Sequence, residues 1–455
     1  MKNILKTLSI VLLVFICVSC ASDDTQDLNV ENPPITPEAA TIDSYSKNFG
    51  YSGETVVISG TNFTTDVNDV EVSFDSVRAE INSVNEQEIS LILPETESTI
   101  PELKVTIKNR VITNTVENDY NGNIGVLGSA LNQWHSMDHN GIINSNRPFA
   151  YVHKSQSVGK DKFYFTHDDS FGIGVYRTID GGIKWKNWGR SGFDGSFYAT
   201  ANDEGWTQTT FGVNKVPIGG SVSLNDDVHP DSSLIGLYVS DDLNNGFLIS
   251  QLKYIYQTTD GTTFNEVYNN NLPRSDEDYG THSAVYAFSE FDDNHIWAGG
   301  YIDIDQNLGY TPIYDFFAPL ILFVDNGNWV EVTIPGIETS SQVKQLQFIT
   351  EDTGYASIHR MGSRVELINR IYKSTDGGYN WDLIFDAGDE AITSFAFMDE
   401  TTGWYCSGHT IYKTTDGGIS WSVDYTADSD ISNISYGEGV VWAITKDKVL
   451  KYFTE

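Results

Sequence analysis

Basic residues are scarce in this chain. Its 455 residues hold 27 Lys and Arg against 63 Asp and Glu, a formal net charge of −36. A surface this acidic repels phosphate backbones and anionic headgroups, which excludes nucleic acid as a partner. Cysteine is scarcer still, with three in the whole chain, at positions 17, 20 and 406. Two of them fall at the extreme N-terminus, so stability has to come from packing rather than disulfides. Cys406 lies in the strand-like run Gly403-Trp404-Tyr405-Cys406-Ser407 and reads as a buried, inert thiol. The histidines are scattered, and the one Cys-x-x-Cys spacing, Cys17 to Cys20, falls at the extreme N-terminus beside the apolar run, so neither a metal site nor a cofactor is expected. Asp303-x-Asp305-x-Asn307 alternates oxygen ligands but lacks the Gly and Glu of an EF-hand loop, and reads as a polar loop. The apolar run from Leu8 to Val18 is too short for a bilayer-spanning helix, which needs roughly 20 residues.

That run belongs to a leader. Met1-Lys2-Asn3-Ile4-Leu5-Lys6 is short and positive, the apolar run follows, and Ser19-Cys20-Ala21 closes it, the order of a secretory signal. Val18-Ser19-Cys20 resembles the lipobox of bacterial lipoproteins, with Cys17 where that motif usually carries Leu. The resemblance implies a signal peptide over 1–19, cleavage before Cys20 and acylation of Cys20. Several acyl chains hold a protein stably on a membrane. The expected location is the bacterial outer membrane, lipid-anchored and facing the cell surface. Residues 20–34 are rich in Asp and Asn and read as an acidic flexible stalk. Its Asp23-Asp24 pair resembles the surface-export signal of some Gram-negative glycan-degrading bacteria.

Aromatic residues divide what remains. All ten Trp lie between Trp134 and Trp442, which suggests a boundary within 119–123. Residues 35–118 alternate apolar and polar in short runs, as in Thr55–Ser59, Val70–Phe74 and Ile89–Leu93. The stretch Gly53 to Phe63, then Val70-x-Val72-x-Phe74, then Ile89 to Pro94, resembles an IPT/TIG domain. The resemblance implies an Ig-like β-sandwich with a turn at Gly60 and a plug at Phe63, used here as a spacer.

Residues 124–455 are repetitive. Tyr176-Arg177-Thr178-Ile179-Asp180-Gly181-Gly182-Ile183-Lys184-Trp185 recurs from Tyr372 to Trp381 and again from Tyr412 to Trp421, with degenerate copies at Thr258–Phe264 and Val324–Trp329. This is an Asp-box, with the carboxylates at Asp180, Asp260, Asp325, Asp376 and Asp416. Its chemistry is structural: Asp accepts backbone N–H bonds across a tight turn, Gly takes positive φ, and Trp packs. The last interval between boxes fits one propeller blade. A second marker, an acidic or Asn turn followed by an aromatic, occurs at 202–206, 244–247, 293–297, 352–355, 402–404 and 437–442. With a turn at Asp168–Gly172 these make seven blades. The last blade lacks a strand, which Leu131–Met137 can supply from the start of the domain. The fold class is therefore all-β, an Ig-like β-sandwich followed by a seven-bladed β-propeller. The pattern resembles the Asp-box propellers of photosystem II assembly and stability factors and, more distantly, bacterial sialidases and xyloglucanases.

A sialidase needs three converging arginines, since a planar guanidinium grips a carboxylate in a bidentate pair. The propeller's arginines are 147, 177, 190, 274, 360, 364 and 370, and Arg177 and Arg370 stand where solvated or stacking roles are expected. No carboxylate pair stands out among so many. The long connections point to binding instead. Segments 222–235, 267–283, 302–319 and 359–370 all join strand ends on the propeller face opposite the boxes. They carry Tyr310, Tyr314 and Phe316; Arg274, Tyr279 and His282; and His359, Arg360 and Arg364, residue types that suit sugars and protein hot spots alike. The reading is a non-catalytic surface protein, with no catalytic residue assigned, that binds a polysaccharide or an envelope protein. The alternatives are a sialidase-like or xyloglucanase-like glycoside hydrolase and an assembly scaffold for an envelope complex.

Overall fold

The computed structural model describes residues 39–138, 152–169, 172–192, 195–208, 212–220, 224–227, 234–250, 254–268, 283–303, 317–325, 327–334, 341–360 and 368–454. Two sheets pack face to face at the N-terminal end. One runs Thr113–Asn114, Thr41–Tyr45, Thr55–Thr61, Glu88–Ile92, Glu80–Val84, and the other Val77–Arg78, Val70–Phe74, Leu103–Ile107, Arg110–Val111. The alternation seen in the sequence places Val56, Ile58, Val72, Phe74, Ile89 and Leu91 in the shared core, each fully buried. Gly60 and Phe63 work as a pair: a Cβ on Gly60 would lie 2.5 Å from the buried Phe63 ring and 2.0 Å from the Thr41 carbonyl. Just past the expected boundary, Gly125–Leu127 still belongs to this side, pairing parallel with Phe49–Tyr51.

Seven four-stranded antiparallel sheets follow, which is a seven-bladed propeller. The innermost strands, blades 1 to 7 in order, are Val152–Ser157, Phe197–Ala199, Leu234–Val239, Ser283–Asp292, Ser341–Phe348, Ser394–Phe397 and Ile431–Gly437. Blade 7 is completed by Trp134–Asp138, which pairs antiparallel with Lys448–Phe453, the closure expected from the sequence. One marker is misplaced. Asp168–Gly172 joins the second and third strands of blade 1, whereas the first-to-second turn of that blade runs through residues 158–162. The count is unaffected because blade 1 has its four strands.

Aromatic rings couple neighbouring blades. Trp297 of blade 4 stacks on Phe348 of blade 5 at 3.7 Å, Tyr355 of blade 5 on Phe397 of blade 6 at 3.5 Å, and Trp442 of blade 7 on Phe163 of blade 1 at 4.9 Å. The inner strands have an edge with no strand partner, and side-chain amides serve it. Gln345 donates to the Phe395 carbonyl at 2.7 Å and accepts from the Phe395 N–H at 2.9 Å, Gln347 does the same with Phe397, and Gln156 with Ala199. A primary amide presents a donor and an acceptor with peptide-like spacing, so it substitutes for a missing strand.

The Ig-like domain is docked on the box side of blades 1 and 7. Tyr51 donates to Asp161 at 2.7 Å, in the first turn of blade 1, and receives a bond from buried Lys451 of blade 7 at 2.7 Å. Lys451 also donates to the carbonyls of Lys160 and Gly181 and lies over the Trp442 ring. No helix among the described residues is long and apolar enough to cross a membrane.

The closing strand is held by Trp134, whose indole N–H donates to Asp424 at 2.8 Å and whose ring lies 5.2 Å from Tyr452. Trp134→Ala is expected to cost about 2 kcal/mol of stability, since a half-buried ring and its bond are lost together. Denaturant unfolding with an unchanged slope would show it; a midpoint equal to that of the parent would overturn this role for Trp134.

Candidate functional site

The Asp-box turns share one construction. Thr178, Ser374 and Thr414 each donate a hydroxyl bond to the box carboxylate, at 2.8, 3.0 and 2.8 Å. The same Oδ1 accepts the N–H four residues after the Asp at 2.9 Å, from Lys184, Asn380 and Ser420. Gly182, Gly378 and Gly418 sit at φ +105°, +104° and +93°, and their carbonyls accept the indole N–H of Trp185, Trp381 and Trp421. Asp260 holds a shorter turn through the N–H groups of Thr262 and Thr263. Asp325 ends a strand and accepts from Tyr379 of the next blade at 2.6 Å. Hydrogen bonds hold the carboxyls of Asp260 and Asp416 well below the usual range, Asp416 at about 2. These are anchored turns with no reactive group free.

The second oxygen differs between copies. Asp376 Oδ2 accepts from Asn380 at 2.6 Å and Asp416 Oδ2 from Ser420 at 2.5 Å. In the first box that position is Lys184, and Asp180 Oδ2 instead accepts from Tyr120 of the segment leading out of the Ig-like domain, at 2.6 Å. This box is thus also a docking contact.

Of the contact residues expected from sequence, Arg274, Tyr279, His282, Tyr310, Tyr314, Phe316 and Arg364 lie outside the described residues, as does Cys20. His359 and Arg360 end the strand Gly354–Arg360, outside the lining of the central channel. Burial, with Lys344 adding to it, pushes the His359 imidazole down to about 3, so it is a neutral packing residue at neutral pH. Arg177 corrects the expectation of a solvated side chain: it is buried, and its guanidinium meets Asp203 of the next blade at 2.9 Å. Tyr164 donates to the other Asp203 oxygen at 2.7 Å, so both oxygens of that carboxylate have a partner. Arg370 pairs with Asp386 at 2.7 Å. Cys406 is buried as expected, its thiol pushed up to about 12.

His135 and His139 stand four apart, but His135 lies on a strand with its ring on Phe453 and a nitrogen 2.9 Å from the Ala130 carbonyl; His139 is outside the described residues. Asp292, His295 and Glu351 bring donor atoms within 4.8 Å of one another. Asp292 is already occupied there, accepting from the N–H groups of Asn294 and His295 and paired with His295 Nδ1 at 2.8 Å, which closes the hairpin.

The feature missed by sequence is the channel down the propeller axis, a cavity of about 540 Å³ lined by all seven inner strands. His153, Lys154 and Lys344 reach it, and Glu290 is the one Asp or Glu among the described residues of its lining. Desolvation inside the ring raises the Glu290 carboxyl to about 7, opposed by Lys154 and by a hydrogen bond from Tyr198. Lys154 donates to Ser196 at 3.1 Å and to the Ile235 carbonyl. The available signal was Lys and Glu at inward positions of first strands, in a chain where Lys is uncommon.

Fold and site together define an all-β protein in which an Ig-like domain is docked onto a seven-bladed propeller. Residues 40–121 match the family model of the IPT/TIG domain, so the chain carries that domain. No curated relative matches the chain. Among solved structures it is similar to YCF48 bound to D1 peptide, at 13% identity and a TM-score of 0.49, covering 72% of this chain and 99% of that one. YCF48 from Cyanidioschyzon merolae is 14% identical with a TM-score of 0.46, over 70% and 99%. An auxiliary nutrient binding protein from Bacteroides thetaiotaomicron is 10% identical with a TM-score of 0.36, over 92% and 98%. The blade count stands on the hydrogen-bonded sheets themselves.

The raised Glu290 carboxyl has a consequence for stability. Its folded pKa, about 7, lies above the ordinary 4.5, so the folded state holds an extra proton between those values and loses stability as pH rises through them. Glu290→Gln removes this loss. Its melting temperature is expected to gain on that of the parent between pH 5 and pH 8; parallel curves would show that Glu290 ionises as freely as in water.

Proposed function

We propose that this chain is a non-catalytic binding protein, anchored by lipid on Cys20 at the surface of a bacterial outer membrane, whose propeller takes a polysaccharide or an envelope protein. The observation that carries the reading is the channel lining. Glycoside hydrolysis needs two carboxyl groups across one bond, one of them with a raised pKa. Glu290 has the raised pKa but stands without a second Asp or Glu among the described residues of the lining. Its neighbours Tyr198 and Lys154 suit holding a ligand rather than cleaving one.

Docking of the Ig-like domain supports the same reading. Tyr51 and Tyr120 fix it to the box side of the propeller. The side bearing the long connections is then the one turned away from the tether, as a receptor requires.

Glycan capture by the full chain, run beside a reducing-sugar assay and cross-linking in cells, tests this. Capture of a glycan without sugar release, or a cross-linked envelope protein, is the expected result. Turnover of a glycan that disappears when one propeller carboxylate is replaced would overturn it in favour of a hydrolase. Cys20→Ser is expected to move the protein from the membrane fraction to the soluble one; unchanged fractionation would rule out the lipid anchor.

A further inference from the structure

Charge inside the propeller runs opposite to charge on the chain. Acids outnumber bases by 63 to 27 overall, yet among the described residues the channel lining carries His153, Lys154 and Lys344 against the single carboxyl of Glu290. His153 is balanced by Asp168, 3.1 Å away, and Lys154 is bonded to Ser196. Lys344 is different. Its ammonium donates one long bond of 3.4 Å, to the Ile392 carbonyl, and no carboxylate lies within ion-pair distance of it among the described residues. Its side chain stands open to the lumen, while the surrounding ring removes much of its hydration and pulls its pKa down. The titratable groups that interact with it, His359 and Cys406, are both held neutral and supply no countercharge.

An ammonium that has lost part of its hydration and has no counterion beside it is a costly arrangement. An anion entering the lumen would supply the missing partner. Low-dielectric walls lined by one sign of charge also concentrate the field on such a ligand. The channel is of a size for a small group rather than a folded partner, and exposed Tyr286 gives it an aromatic face.

We propose that the central channel is an oxyanion site, taking a carboxylate- or phosphate-bearing group with Lys344 as its principal contact and Lys154 adding charge. Resting on the binding reading above, this narrows the ligand to an acidic one.

The test uses the full chain in detergent and titration calorimetry with three probes: tetragalacturonate, its carboxyl-reduced neutral counterpart, and inorganic phosphate. Tetragalacturonate or phosphate is expected to bind, with affinity falling as salt rises. Lys344→Gln should weaken that binding by about ten-fold or more, the worth of one charge-assisted bond, and Lys344→Arg should restore most of it. Which of the two anions binds assigns the source as acidic sugar or phosphate. Circular dichroism melting of the variants separates lost contact from lost fold. Equal affinity for the acidic and neutral saccharides would overturn the oxyanion site while leaving glycan binding intact. Binding of neither anion, or full affinity in a folded Lys344→Gln protein, would also overturn it. Cleavage of tetragalacturonate would instead sink the non-catalytic reading.

Discussion

The ring closes through one pairing, Trp134–Asp138 on Lys448–Phe453. A propeller sheet left with three strands would expose an unpaired outer edge, the feature that invites strand addition by other chains. The partner of the closing strand, Lys448–Phe453, carries Lys451, which sits opposite His135 in the register. Its ammonium is buried among the rings of Tyr51, Trp442 and Phe453, where it would be costly without partners. Those partners are the Tyr51 hydroxyl and two carbonyls of blade 1. Blade 7, blade 1 and the Ig-like domain therefore meet at one nitrogen, and closing the ring also completes the seat for the domain.

Asp180 shows how a repeated motif acquires a second task. Each box carboxylate needs one oxygen to hold its turn, which leaves the other available. Asn380 and Ser420 satisfy that second oxygen within their own turns. Lys184 does not; its ammonium lies over the Tyr120 ring at 5.1 Å, and the Tyr120 hydroxyl satisfies Asp180 instead. A single departure at the fourth position after Asp thus distinguishes the docking blade from the others. The copies differ where their surroundings differ and agree where the turn requires it.

Much of this fold could be read from residues alone. The boxes repeat their Thr or Ser, Asp, Gly and Trp because the turn admits little else, and Gly60 with Phe63 marks the sandwich through a close approach that only glycine allows. The closing strand was legible because the stretch around Trp134 precedes blade 1 with no blade of its own to join. Blade 1 misled because Asp168–Gly172 imitates the acidic turn, whereas its true first turn carries Gly159 and Lys160. Arg177 misled because box-flanking strands are outer ones in sequence terms, yet its partner Asp203 comes from the neighbouring blade. The channel was illegible for a related reason. Alternation along a strand separates two faces, but only the packing of seven blades decides that Lys154, Glu290 and Lys344 reach the axis.

The rigid docking changes what the Ig-like domain can be said to do. A spacer on a free hinge would let the propeller present either face to the membrane. Here Tyr51, Tyr120 and Lys451 tie the domain to the turns of blade 1 and to the strand Lys448–Phe453 of blade 7. The salt bridges Glu54–Lys160 and Lys186–Asp119 add weaker contacts at the rim of the same junction. The orientation of the propeller relative to the domain therefore belongs to this junction. A net charge of −36 works in the same direction, since an acidic body is repelled by anionic headgroups. With the junction fixed, the box side of the propeller faces the Ig-like domain and the opposite face is left clear of it. The positive lumen is then the feature of an otherwise acidic body that attracts an anion.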